Sequence, residues 1–199
     1  LTIANTVPGA SVEVVSGFIN SGSNSMMAWS FYPTSFDSNG WGGESLVSVD
    51  YLITPQIQVP SNGVAVLSYY VRNINTMYAD EFAVKISTTG VEYNDFSTVI
   101  TNFFEPTDGW VQYSVSLQNY AGQNVYIAFV HSGSDDMGLC LDDVEISYFD
   151  EPILEATPET LNFALNFGDV CTPKTVSIVA YNLTEDIAAT ATENFEVSS

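Results

Sequence analysis

The stretch "NVYIAFVHSGSDDMGLCLDDVEISYFD" (124–150) carries two strand patterns in succession. Residues 124–132 are apolar on both faces, which is typical of a central strand. In residues 138–150 the apolar positions change parity: Leu139 and Leu141 on one side, Val144, Ile146 and Tyr148 on the other. Because successive side chains in a strand point to opposite faces, this switch predicts a β-bulge at the junction, where Asp142 and Asp143 stand.

Two adjacent carboxylates at such a junction need a compensating charge or hydrogen bond. At about 4 Å they repel by roughly 4 kcal/mol at an effective dielectric near 20. A shared proton would relieve the repulsion, and a calcium ion would do so better at neutral pH. We therefore predict a calcium site at Asp142 and Asp143, with Glu13 from the first strand as a third ligand. Weaker candidates for the remaining ligands are Asp37, Asp50, Asp80 and Glu81. A plain alternative leaves both carboxylates in water at a strand edge.

Further strand patterns lie outward from this stretch. Residues 63–71 are apolar on both faces, residues 81–88 alternate with Phe82, Val84 and Ile86 inward, and residues 110–117 alternate as well. Turn sequences separate them: "PSNG" (60–63), "STTG" (87–90), "PTDG" (106–109) and "YAGQ" (120–123). Short strands at such intervals indicate an all-β fold, an antiparallel sandwich of the jelly-roll kind, over residues 1–150.

Residues 20–43 look different, because they combine many Ser, Asn and Gly residues with large aromatic residues. We expect a long loop whose aromatic side chains pack on the sandwich, since exposing them is costly. A ligand platform is the alternative interpretation.

The pattern starts again after residue 150. Residues 159–170 alternate, and residues 174–183 read as a strand. Residues 151–199 therefore predict a short or partial immunoglobulin-like β-sandwich, since a complete one needs about 100 residues. The sequence starts at Leu1, without Met or a signal peptide, which we interpret as a processed or trimmed piece.

Charge restricts the partners. The 24 Asp and Glu residues face only three cations, Arg72, Lys85 and Lys174, which gives a net charge of −21. Such a surface repels phosphate backbones and anionic membrane surfaces, so we expect no nucleic acid and no membrane insertion.

The two cysteines, Cys140 and Cys171, are too few for a disulfide framework, and the sequence leaves open whether they pair.

Catalytic patterns are weak. His131 is the only histidine, and no G-x-S-x-G elbow accompanies it. One histidine and two distant cysteines give no zinc-ligand spacing. We expect a packed or hydrogen-bonded structural His131 and no enzymatic activity.

Several elements in order resemble the cleaved adhesin domains, also called choice-of-anchor J modules, of secreted Bacteroidetes proteins, among them gingipain-type haemagglutinins. They are "LITPQI" (52–57), "STTG" (87–90), "YAGQNVYIAFVH" (120–131) and "LCLDDVEI" (139–146). The resemblance implies a jelly-roll sandwich that commonly binds calcium and serves adhesion, with the paired acids of the family on Asp142 and Asp143 and its usual histidine on His131. The acidic "FE" start and the "D.DGD..W" loop of many members have no clear counterpart.

Two functions follow as expectations. The first is a calcium-stabilised, secreted or cell-surface adhesion module that binds host or matrix protein. The alternative is a carbohydrate-binding module, appended to a surface glycan-processing or peptidase protein. It would use exposed aromatic side chains, with Tyr32, Trp41 and Tyr78 as candidates. A solvent-exposed coplanar aromatic pair would favour the second.

Overall fold

The structure is a computed structural model. It describes residues 2–5, 12–37, 40–164, 171–181, 183, 185–191, 193 and 196–197, without the side chains of 2–5, 32–37, 40 and 41. Two compact units divide the chain, Leu1–Tyr148 and Phe149–Ser199.

The described residues form strands and two short 3-10 helices. In chain order the strands are β1 (Thr2–Asn5), β2 (Val12–Val15), β3 (Ser25–Ala28), β4 (Phe31–Asp37), β5 (Gly40–Ser45), β6 (Val47–Ile53), β7 (Ile57–Gln58), β8 (Val64–Asn73), β9 (Glu81–Ser87), β10 (Thr98–Phe104), β11 (Val111–Ser116), β12 (Asn124–Ser134), β13 (Leu139–Phe149), β14 (Ile153–Thr157) and β15 (Ser177–Tyr181). The 3-10 helices are Tyr93–Asp95 and Gln118–Tyr120.

Two large sheets build the sandwich of the first unit, which also contains a two-stranded sheet of β4 and β5. A six-stranded sheet has the order β1-β6-β12-β9-β10, with β7 also pairing with β12, and a five-stranded sheet has the order β11-β8-β13-β3-β2. One hydrophobic core joins them, since it contains Leu52 and Phe129 from the first sheet and Leu67, Tyr69 and Leu141 from the second. The prediction of an all-β, jelly-roll-like sandwich is confirmed.

The central strands follow the predicted alternation. Residues Phe82, Val84 and Ile86 of β9 enter the main core. The same alternation directs Ala83 and Lys85 to the outer face of the sheet, yet Ala83 is fully buried there, in a second cluster that contains Phe96. The segment around the Tyr93–Asp95 helix therefore covers part of the outer face of the six-stranded sheet.

The expectation of a long loop over residues 20–43 is wrong. Strand β3 pairs with β13 and with β2, and β4 pairs with β5 as a separate two-stranded sheet. The alternation in "SMMA" (25–28) is short, and Ser and Asn residues on either side conceal it.

In the described part of the second unit, β14 and β15 form an antiparallel pair in which Glu155 lies opposite Val179. Strand β15 falls within the predicted strand at 174–183. Residues 159–164 of the predicted strand at 159–170 are not in a strand, and residues 165–170 lie outside the described residues. The immunoglobulin-like assignment stays a prediction.

The two cysteines do not pair: Cys140 is buried and free, and Cys171 is exposed and free. Burial raises the pKa of the Cys140 thiol to about 12. In the part of the chain that the structure describes, no helix has the length and apolar character needed to span a membrane.

Candidate functional site

The predicted parity switch in β13 is present. Leu141 and Ile146 both pack on the main core, although five positions separate them. Between them, Asp143 has φ +47°, in the left-handed region that a non-glycine residue rarely adopts. This geometry sets the carboxylates of Asp142 and Asp143 outside the core, where Asp142 is half-buried and Asp143 is exposed.

The 16–24 loop supplies the hydrogen bonds that these carboxylates need. Asp142 Oδ2 accepts from the backbone N–H groups of Asn20 (2.8 Å) and Ser21 (3.3 Å). Asp143 Oδ2 accepts from the side-chain amide of Asn20 (2.8 Å), and its Oδ1 accepts from the Ser21 hydroxyl (2.6 Å). The Ser21 hydroxyl, and then the Asn20 amide, lower the pKa of Asp143. The loop is therefore bound to β13 through the carboxylate pair.

Glu13 has a different partner. Its Oε1 accepts a 2.7 Å hydrogen bond from the indole N–H of Trp29. Strand β3 lies between β2 and β13, so Glu13 and Asp142 stand two strands apart, about 10 Å in the hydrogen-bonding direction.

The other acids considered as calcium ligands lie elsewhere. Asp50 and Asp80 face the sandwich interior, Glu81 is exposed on β9, and the side chain of Asp37 lies outside the described residues. Among the residues described, no group of three or more His, Cys, Asp or Glu side chains is placed to hold a metal ion. The site thus offers calcium two carboxylates, and every oxygen of the pair already accepts a hydrogen bond.

Of the predicted ligand-binding aromatics, Tyr78 is 52% exposed and lies in the β8–β9 connection. Tyr32 is in β4 and Trp41 is in β5, at different register positions of the hairpin. Their side chains lie outside the described residues, so their role stays a prediction.

A site that the sequence did not single out lies on the outer face of the five-stranded sheet. Arg72 has the parity of Tyr70, opposite to Tyr69 and Val71 in the core, and its guanidinium carbon stands 5.2 Å from the centre of the Phe18 ring. The centre of the Trp110 ring stands 6.0 Å from the same carbon. We call Phe18, Arg72 and Trp110 the Arg72 cluster.

The Arg72 cluster has unused donors. The Arg72 Nε donates to the carbonyl of Asn73 at 3.2 Å. Within the described ranges, the two terminal guanidinium nitrogens have no hydrogen-bond acceptor, and no carboxylate oxygen lies within 4.0 Å of them. Arg72 is half-buried and Phe18 is 44% exposed, so solvent reaches the cluster.

A second polar group lies between the sheets. His131 Nδ1 is 2.9 Å from Asp50 Oδ2, and its Nε2 is 3.0 Å from Asp80 Oδ1. Asp50 and Asp80 are 1% and 0% exposed, and His131 is 3% exposed. Burial opposes the charge on the imidazole, but the hydrogen bonds and charges of Asp50 and Asp80 outweigh it and raise the pKa of His131. The hydrogen-bonded structural histidine that the sequence predicts is thus present. Its two partners, Asp50 and Asp80, were predicted as weaker candidates for calcium ligands.

Two antiparallel sheets that enclose one hydrophobic core define a β-sandwich. The chain belongs to the Cleaved Adhesin Domain family, whose profile matches residues 17–146. This membership confirms the family resemblance seen in the sequence.

Haemagglutinin A of Porphyromonas gingivalis strain W83 is 32% identical over 136 residues, which cover 55% of this chain and 6% of that protein. The match therefore spans a small part of the relative. The K2 cleaved adhesin domain of Lys-gingipain is similar with a TM-score of 0.56 and 25% identity, covering 74% of this chain and 88% of that one. A carbohydrate-binding module, TmCBM61 in complex with β-1,4-galactotriose, has a TM-score of 0.52 and 13% identity over 74% of this chain and 88% of its own, which shows a shared fold.

Proposed function

We propose that this chain is a non-catalytic adhesion module of a secreted or cell-surface bacterial protein. Its family membership supports adhesion, and the Arg72 cluster supports the outer face of the five-stranded sheet as the surface that holds the partner. Its partner is extracellular, either a host or matrix protein or a glycan that such a protein carries.

The buried histidine supports a structural role in place of catalysis. Both ring nitrogens of His131 are engaged by carboxylates, and the ring is 3% exposed. A general base must reach the proton that it removes, within hydrogen-bond distance or through one water molecule. His131 lies in the core side of its sheet, so a substrate on either outer face does not reach it.

Calcium at Asp142 and Asp143 stays a proposal. Its support is the pair of adjacent carboxylates in a chain of net charge −21. The loop donors from Asn20 and Ser21 already offset part of the repulsion, and calcium normally takes six to eight oxygen ligands. An ion bound here would need backbone or water oxygens in addition to the two carboxylates.

One observation favours a glycan over a bare protein surface. Near the Arg72 cluster, the outer face carries neutral hydroxyl and amide groups, with the Tyr70 hydroxyl donating to Gln112 Oε1 at 3.4 Å. Aromatic rings combined with a few placed polar groups are the usual composition of a small-ligand site.

The test measures binding of the folded chain to immobilised extracellular matrix glycoproteins before and after enzymatic deglycosylation. Binding that survives deglycosylation supports a protein partner, and binding that disappears supports a glycan. A chain that adheres to neither surface would contradict the adhesion function.

A further inference from the structure

We propose that the Arg72 cluster is a binding site for a single carboxylate group on an otherwise neutral glycan, such as a glycan that ends in a sialic or uronic acid. This inference rests on the glycan form of the proposed function and names the chemical class that the site selects.

The cations of this chain show why Arg72 is available to a ligand. Each of the three lies over an aromatic ring: Arg72 over Phe18 and Trp110, Lys85 over Tyr51 and Phe103, and Lys174 over Phe163. In the portion of the chain with described side chains, none of them forms a salt bridge with an acid. Arg72 therefore keeps its charge uncompensated by a carboxylate.

Arg72 differs from the two lysines in chemistry. A guanidinium presents parallel N–H groups that match both oxygens of a carboxylate, which an ammonium group does not. Its Nε hydrogen bond to the Asn73 carbonyl and the ring of Phe18 fix the plane of the group. A fixed plane with free terminal donors binds a carboxylate with little loss of side-chain freedom.

The 16–24 loop holds Phe18 in a strained conformation. Phe18 has φ +52°, which is an outlier for a bulky side chain. The loop is held there by the Ser25 hydroxyl, which donates to the Phe18 carbonyl at 2.8 Å, and by the bonds from Asn20 and Ser21 to the carboxylate pair. Backbone strain of this kind persists only where surrounding contacts enforce it, and it concentrates at ligand sites. Through these bonds, the carboxylates of Asp142 and Asp143 help to position Phe18 in the Arg72 cluster.

Net charge limits how many anionic groups the ligand carries. A chain of charge −21 repels a polyanion, and the site contains one cation. Asp142 also lies near this side, since its carboxylate accepts hydrogen bonds from Asn20 and Ser21 of the loop that carries Phe18. A ligand with one carboxylate gains the Arg72 contact without bringing further charges towards the surrounding acids. An acidic peptide would bring several, so the glycan is the occupant that the charges favour.

The experiment compares two matched ligand pairs by calorimetry: 3′-sialyllactose with lactose, and glucuronyl-xylotriose with xylotriose. We expect the full chain to bind at least one acidic member about tenfold or more tightly than its neutral partner, because a hydrogen-bonded ion pair is the difference. Arg72→Met should abolish that preference, and Arg72→Lys should restore only part of it. Lys85→Met is the matched control, a cation held over rings in the other sheet, and should leave binding unchanged.

The variant Phe18→Gly tests the contribution of the Phe18 ring to binding. It adds no backbone strain, because glycine accepts φ +52° readily. We expect affinity for the acidic glycan to fall about threefold or more while the melting temperature is kept.

Three results would overturn the inference. Equal binding of acidic and neutral members, unaffected by Arg72→Met, would leave the glycan function standing and remove the carboxylate site. If the chain bound an acidic peptide through Arg72 and bound neither acidic glycan, the ligand of the site would be a peptide and the glycan assignment would be wrong. If the chain bound none of the four glycans but still adhered to deglycosylated matrix protein, the glycan site would be wrong and the adhesion function would stand.

Discussion

Substitution His131→Gln should remove the positive charge that lies between two buried carboxylates, those of Asp50 and Asp80. Asp50 Oδ2 and Asp80 Oδ1 each receive one bond from the ring, while Asp50 Oδ1 and Asp80 Oδ2 have no partner among the described atoms. Against the opposing effect of burial, the hydrogen bonds and charges of Asp50 and Asp80 raise the pKa of His131 and so favour the imidazolium, which carries a hydrogen on both ring nitrogens. Removing one member of a buried ion pair costs about 3–5 kcal/mol, and we expect the free energy of unfolding to fall by that amount.

The pH dependence follows from the raised pKa of His131. The folded chain keeps the proton at pH values where the unfolded chain has lost it, above the ordinary value of 6.5. The stabilisation is therefore complete below pH 6.5 and is lost as pH rises through the folded pKa. Between these two values the free energy of unfolding should fall by up to about 1.4 kcal/mol per pH unit.

Urea unfolding from pH 6 to pH 9 checks both results. Ser48→Ala is the control, since it removes a neutral contact at 3.3 Å from Nδ1 and leaves both ion pairs in place. Its slope with pH should match that of the parent chain. A His131→Gln variant that loses less than about 1 kcal/mol at pH 6, or a parent chain without the slope, would refute the imidazolium assignment.

Other predictions test the remaining features. Gly133→Ala should destabilise the sandwich by about 3 kcal/mol or more in urea unfolding, because its Cβ would stand 1.6 Å from Asp80 Oδ1; unchanged stability would show that Asp80 lies elsewhere. Cys140 should react with a thiol reagent only on unfolding, whereas Cys171 should react at once; equal rates would contradict the burial difference. Asp143 contributes stability above its ordinary pKa of 3.8 that is lost as pH falls through its lowered folded pKa, so Asp143→Asn should melt with a smaller acid dependence than the parent between pH 5 and 3. Calcium at one hundred times its dissociation constant should add about 2.7 kcal/mol in the parent and nothing in Asp142→Asn/Asp143→Asn; a melting temperature equal in calcium and chelator would remove the calcium proposal.

Strand periodicity predicted much of the fold because it is a local property. The double-sided apolar runs at 63–71 and 124–132 correspond to β8 and β12, and the parity change located the irregular backbone at Asp143. The short strand β3 could not be recognised, since four residues carry little periodic signal and its pairing with β13 spans more than 110 positions.

The candidate site depended on long-range contacts. Parity alone could have placed Asp50, Asp80 and His131 in the core, because they match Leu52, Phe82 and Phe129. The bonds from Asn20 and Ser21 to Asp142 and Asp143 cross about 120 positions, and no local pattern encodes them. The Arg72 cluster likewise joins three distant segments, although the scarcity of cations was a usable signal.

The positions of the three cations also bear on proteolysis. A trypsin-like peptidase cuts after Lys or Arg in chain that it can draw into its cleft. Arg72 lies within β8 and Lys85 within β9, whereas Lys174 is exposed and outside any strand. Limited digestion should therefore cut the native chain after Lys174 and leave both large sheets of the first unit intact.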